Sequence, residues 1–153
     1  MNLENLCVVE IKTEEDAQIL RELRNECRNY MTRNKDYIDA EQQSFWFKNL
    51  DRIKVNLFLI KNDIDNVGFG ILRLEDDVVL LTGGVTEKSR GFGIGEYVFR
   101  FLLDEAKKHN KKIELEVLVS NKVAKKLYNK LGFVEFKRTD KVISMEYRND
   151  TSL

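Results

Sequence analysis

The sequence predicts an α/β protein in which one mixed sheet of about seven strands carries flanking helices. The order read along the chain is β-α-α-β-β-β-α-β-α-β-β. Three observations lead there. Short apolar runs, some alternating with charged residues, mark strands. Stretches with apolar residues at helical spacing interrupt them, and the last two helices alternate with strands. Asn, Asp and Gly clusters separate these segments in a chain that has no proline to punctuate it. A length of 153 residues fits a single domain spanning 1–153 that can bury a core without staples.

Leu6 to Ile11 is an apolar run and the first predicted strand. Thr13, with Asp16 three residues on, signals the start of a helix. That helix carries Ala17, Leu20, Leu23, Arg24 and Cys27. Asn29 to Tyr37 is polar and predicted as loop. Asp39 opens a second helix with Gln42 at the capping-box position, and Phe45, Trp46 and Leu50 give it an apolar side. Val55–Ile60 and Val67–Leu74, joined by Asn62-Asp63-Ile64-Asp65-Asn66, form a hairpin. After Glu75-Asp76-Asp77 comes the strand Val78–Val85, whose continuous apolar start predicts burial on both faces. Gly93–His109 is helical. Ile113, Leu115 and Val117 alternate with Glu114 and Glu116, a strand signature. Asn121–Leu131 is a helix ended by Gly132 as a left-handed cap. Phe133–Phe136 and Val142–Tyr147 close the chain as an antiparallel pair.

Composition narrows the function classes. Lys plus Arg and Asp plus Glu each number 26, and the formal net charge is +0. The chain therefore has no global field to gather nucleic acid or anionic lipid, and neither is an expected partner. Met1 to Glu10 lacks a secretory pattern, and no apolar run approaches the ~20 residues of a membrane span. A cytoplasmic location is the expectation. Cys7 and Cys27 match no metal spacing and are expected to be buried free thiols, with no metal site. His109, at the end of a helix, is expected to cap it rather than act as a base.

The densest chemical signal is Arg90-Gly91-Phe92-Gly93-Ile94-Gly95-Glu96, which lies between a strand and a long amphipathic helix. Glycines let a ligand approach the backbone, and the first turn of a helix leaves amides unpaired beneath a partial positive charge. The two together suit a pyrophosphate. Lys88 and Arg90 add cationic side chains nearby. A Walker loop is excluded because no Gly-Lys-Ser/Thr follows. The spacing Gly91, Gly93, Gly95 after the fourth strand also fails the dinucleotide fingerprint.

Arg90-x-x-Gly93-x-Gly95 resembles the acyl-CoA signature of the GNAT superfamily of N-acetyltransferases, Arg/Gln-x-x-Gly-x-Gly/Ala. Further on, Asn121-Lys122-Val123-Ala124 and Tyr128-Asn129-Lys130-Leu131-Gly132-Phe133 resemble that family's Asn-x-x-Ala-x-x-x-Tyr-x-x-x-Gly-Phe. The match is strong from about Val78 to Tyr147 and extends to the first half in element order only. It implies a mostly antiparallel sheet and the transfer of acetyl from acetyl-CoA to a primary amine. Amides from Gly91 through Glu96 would hold the pyrophosphate. Main-chain groups at Gly84 and Val85 would meet the pantetheine arm in a gap between splayed strands. Asn121 would cap its helix or reach the cofactor. Tyr128 would be the general acid, protonating the leaving thiolate. The closing strands would offer an edge able to pair two subunits as a homodimer.

The strand Val78–Val85 lacks the glutamate that some members use as general base. Glu75, Asp76, Glu87, Glu114 and Glu116 are the nearby carboxylates, and the base stays unassigned. The acceptor is expected to be read by the first half. Arg24-Asn25 on the first helix and Gln42, Trp46 on the second resemble the subset that acetylates nucleotide-linked amino sugars. The same residues read equally as a core with an Arg24 tether. Other acceptors open at this point are a polyamine, an aminoglycoside or a protein N-terminus or lysine. A CoA-binding module without turnover is the alternative in a different class.

Overall fold

The computed structural model describes residues 5–148. Its elements are β1 (Cys7–Glu10), α1 (Glu14–Glu26), α2 (Ala40–Lys48), β2 (Val55–Lys61), β3 (Asn66–Glu75), β4 (Val78–Val85), α3 (Ile94–Lys107), β5 (Lys112–Leu118), α4 (Lys122–Leu131), β6 (Phe133–Arg138) and β7 (Val142–Tyr147). This is the order expected from the sequence. Two short 3₁₀ turns, Arg28–Tyr30 and Glu87–Ser89, were not foreseen, because three residues carry no periodicity.

Local chemistry accounts for the helix ends. Thr13 Oγ1 accepts from the Asp16 amide at 3.1 Å. Asp39 and Gln42 exchange both bonds of a capping box, each at 2.8 Å. Gly132 closes α4 with φ 106°, a conformation that a Cβ would oppose. At the end of α3 the His109 main chain, through its amide to Ala106 O at 3.1 Å, continues the last turn, and Asn110 takes the left-handed φ of 53°.

The sheet runs β1-β2-β3-β4-β5-β7-β6. Among the described residues its one parallel pair is β4 with β5. That ladder runs only from Val78↔Lys112 to Leu81↔Leu115. Beyond it β4 stays paired with β3 as far as Val85↔Gly68, and β5 with β7 as far as Leu118↔Val142. The strands diverge after Leu81 while each keeps its outer neighbour, so a gap opens in the middle of the sheet.

Two cores lie on opposite faces. One packs α3 and α4 on the sheet through Val79, Leu81, Leu102, Leu115, Phe133 and Met145. The other packs α1 and α2 through Leu20, Leu57, Leu59, Phe69 and Ile71. The alternation of β3 assigns its side chains to these faces in turn. Gly70 lets α3 come close, since a Cβ there would lie 2.9 Å from Leu102 Cδ2.

Two expectations are corrected. On β4, Val79 and Leu81 are buried, but Val78, Leu80 and Thr82 are only half-buried. The second face of this strand is not covered by packing, and Leu80 and Thr82 line a cleft. Cys27 is a buried free thiol, whereas Cys7 is exposed because it sits on the edge strand β1.

Candidate active site

The glycine loop follows directly from β4. Thr86 and Ser89 are buried and joined by a hydroxyl bond from Thr86 Oγ1 to Ser89 Oγ at 2.8 Å, which fixes the turn. Gly91 and Gly93 take φ of 85° and 84°. The first internal bond of α3 is Tyr97 N to Gly93 O at 3.2 Å. Among the described residues, the amides of Gly91 through Glu96 find no acceptor, and α3 behind them is 14 residues long. A Cβ at Gly91 would meet nothing within 4 Å, so the loop faces open space. Phe92 projects half-exposed from it.

The nearby cations do not point into this cradle. Arg90 folds back, donating from Nε to Val85 O at 3.1 Å and stacking over Tyr30 with its guanidinium 4.8 Å from the ring centre. Lys88 pairs with Asp65 at 3.1 Å. The acid in the first turn, Glu96, is held by Lys130 at 2.7 Å and Arg100 at 2.9 Å. Those hydrogen bonds, Lys130 first, keep its carboxyl below the ordinary range. What this loop offers an anion is backbone amides and the helix dipole.

The gap between β4 and β5 holds a cleft of about 340 Å³. Thr82 and Gly83 line one wall, Glu116 and Val117 the other, and Phe99 and Tyr128 its base. Because the parallel ladder stops at Leu81, the edge of β4 from Thr82 to Val85, including Gly84, is unpaired toward β5. Of these groups, Val85 O already accepts from Arg90 and, at 3.5 Å, from Cys27 Sγ. Asn121 caps α4 through Ala124 N at 3.2 Å and also lines the cleft.

Tyr128 is carried by the inner face of α4. It is 7% exposed and sits edge-on to Phe99 at 4.8 Å and to Phe133 at 6.3 Å. Its hydroxyl has no protein partner among the described residues. Burial pushes the phenol well above its usual range, so it remains a proton donor at neutral and mildly alkaline pH.

The far wall is built by α1 and the segment after it. Arg24 is buried and donates to the main-chain oxygens of Asn34 and Asp36. Asn25 bridges both main-chain groups of Ile38 at 2.8 and 2.9 Å. These two residues pin the segment that carries Thr32 and Arg33 into the cleft. Gln42 is committed to its capping box, and Trp46 packs against the second core. Of the four residues expected to meet an acceptor, Arg24 lines the cleft, and Asn25, Gln42 and Trp46 do not.

Sequence reading missed Thr32, Arg33 and Arg73, and it named Glu75 and Glu116 only among the nearby carboxylates. All five line the cleft. Glu116 accepts from Thr32 Oγ1 and Arg33 Nε, each at 2.9 Å. Burial raises its carboxyl, but the hydrogen bonds and charge of Arg33 and Thr32 outweigh burial and hold it below the ordinary range. One signal was available. The alternation of β3 puts Arg73 on the same face as the core residues Phe69 and Ile71, an unusual place for a cation.

The sequence profile of the acetyltransferase (GNAT) family matches residues 17–133, more than half of the chain. No curated protein matches the sequence significantly. Several solved structures share the fold. Vibrio cholerae spermidine N-acetyltransferase, solved with CoA and spermine, is 20% identical, with 94% of this chain and 95% of that one covered and a TM-score of 0.79. The Brucella melitensis ribosomal-protein-alanine N-acetyltransferase is 19% identical over 92% of this chain and 98% of its own, with a TM-score of 0.77. A Salmonella typhimurium structure solved with its cofactor acetyl-CoA is 17% identical over 96% and 95%, with a TM-score of 0.76.

Proposed function

Since this chain belongs to the acetyltransferase (GNAT) family and is an acetyl-CoA-dependent N-acetyltransferase, we propose that it acetylates the primary amine of a small molecule by direct attack, with Tyr128 as general acid. The observation that carries the reading is the Tyr128 hydroxyl. It is a proton donor without a protein partner among the described residues, carried by a buried ring into a cleft that Thr82 and Gly83 of the unpaired β4 edge also line, and that edge leads on to the loop with the free amides of Gly91–Glu96.

In this reading the amides of Gly91, Phe92, Gly93, Ile94, Gly95 and Glu96 hold the pyrophosphate. The free edge of β4 at Gly84 and its neighbours runs beside the pantetheine arm as an added strand would. Arg90 braces Val85, and Asn121 keeps α4 in place beside the arm. The amine nitrogen attacks the thioester carbonyl carbon, the C–S bond breaks, and the Tyr128 proton goes to the departing sulfur. Glu116, held anionic by Arg33, is a weak base, so the amine proton leaves through water in the open cleft. The amino-sugar reading rests on Arg24, Asn25, Gln42 and Trp46; of these Arg24 lines the cleft and the other three serve the scaffold, so the acceptor is to be sought in the cleft itself.

The first test is the thermal midpoint with acetyl-CoA, CoA, ATP and NAD in separate samples. A ligand at 100 times its Kd adds about 2.7 kcal/mol, a rise of roughly 5–10 °C for a domain of this size. Stabilisation by acetyl-CoA and CoA but not by ATP or NAD is expected, followed by thiol release in the presence of an amine. No shift with acetyl-CoA would remove the cofactor assignment. A shift with no thiol release from any amine would leave a CoA-binding module.

A further inference from the structure

Arg73 lines the cleft, half-buried, on the face of β3 that otherwise builds the second core. Its guanidinium makes no hydrogen bond or ion pair among the described residues. The other charges of the cleft are accounted for. Arg24 is fixed on two main-chain oxygens. Arg33 lies 2.9 Å from Glu116 and 3.8 Å from Glu75 and so draws on both acids of the cleft. Burial, and then the like charge of Arg33, pull the Arg73 guanidinium below its ordinary value, and Glu75 only partly offsets them. A cation withdrawn from water beside another cation is costly unless an anion meets it.

That anion is not the pyrophosphate. Arg73 pairs with Leu80, five residues before Val85, where β4 ends and the loop begins. At about 3.3 Å per residue the separation is roughly 16 Å. Arg73 stands instead level with the closed part of the β4–β5 ladder, where Leu80 pairs with Glu114, on the α1 side of the cleft that Tyr128 enters from the opposite face of the sheet. A planar guanidinium with five donors suits a carboxylate or a phosphate.

We propose that the acceptor is an amine whose far end carries an anionic group, and that Arg73 binds this group while the amine reaches toward Tyr128. The proposal rests on the acetyltransferase reading above. It sets this cleft apart from one meant for a polycation, since the cleft acids Glu75 and Glu116 are already engaged by Arg33 and the one unmatched charge is positive.

The test uses four matched five-carbon amines: pentylamine, 5-aminovalerate, 5-aminopentyl phosphate and cadaverine. Turnover is followed by CoA thiol release, and binding by calorimetry with and without CoA. The expected result is a kcat/KM for 5-aminovalerate or the phosphate at least about tenfold above that for pentylamine, carried mainly by KM, with cadaverine lowest. Whichever of the two anionic amines leads identifies the group as carboxylate or phosphate. Arg73→Gln should collapse the ratio to pentylamine, and Arg73→Lys should restore part of it. Equal use of all four, a preference for cadaverine, or a preference that survives Arg73→Gln would overturn the proposal. The two readings fail separately. Loss of acetyl-CoA stabilisation sinks the cofactor assignment, while the calorimetric ranking of the amines without CoA still decides Arg73.

Discussion

The glycine loop with the β4 edge and the cleft beside it are made of different material. The proposed cofactor end is backbone: free amides at Gly91–Glu96, an unpaired edge of β4 and two glycines in left-handed conformation. The proposed acceptor end is side chain: Arg24, Arg33, Arg73, Glu75 and Glu116, delivered by α1, the segment after it, β3 and β5. Backbone offers the same groups whatever the sequence, so it suits a constant ligand. Side chains differ from one sequence to another and suit a ligand that varies. The difference also separates what mutation should do at each end.

The largest effect is expected at the backbone end. Gly93→Asp forces an L-residue to φ near 84° and sets a carboxylate into the phosphate cradle. The acetyl-CoA shift in thermal midpoint should vanish, and retention of that shift in a folded variant would break the comparison. Next is Tyr128→Phe, which removes one hydroxyl and leaves the ring contacts in place. It should lower kcat about 10²-fold or more with acetyl-CoA binding retained, and unchanged turnover would take the proton donor away. Because burial raises the phenol, any alkaline limb in the rate profile below about pH 10 should persist in this variant.

Smaller effects are expected from the scaffold of the acceptor end. Arg24→Ala leaves the main-chain oxygens of Asn34 and Asp36 without their donor and should cost about 2–3 kcal/mol in denaturant unfolding. It should disturb acceptor KM more than acetyl-CoA affinity. The smallest effect belongs to the Arg33–Glu116 pair. The Glu116 carboxyl is depressed in the folded state, so the stability it contributes is present above the ordinary carboxylate range and lost as pH falls through the lower folded value. Arg33→Ala should flatten that acid slope of stability, and a slope identical to the parent's would show that the pair is inert.

Legibility followed the same division. The loop could be read because glycine spacing, a strand before it and a helix after it are all local. Tyr128 was readable with Gly132-Phe133 as part of one helix and its cap. Thr32, Arg33, Glu75 and Glu116 were not, since each looks like an ordinary surface residue until α1 and β5 are brought together. Asn25 and Gln42 stood out in the sequence for scaffolding chemistry, a tether and a cap, which from sequence looks the same as recognition. Trp46 stood out for its size, and that serves the core.

Sequence alone determined the order of elements, the helix caps at Thr13, Asp39 and Gly132, and the glycine loop that opens α3. These follow from interactions spanning a few residues, where periodicity, capping and the freedom of glycine decide. Tertiary structure decided where the β4–β5 ladder ends, that Arg90 turns back onto Val85, and which charges face one another across the cleft. Those outcomes depend on contacts between segments tens of residues apart, such as Arg33 with Glu116 and Arg90 with Tyr30. No local pattern encodes them, because a charged side chain has the same propensity whether its partner is water, a carboxylate or a ligand.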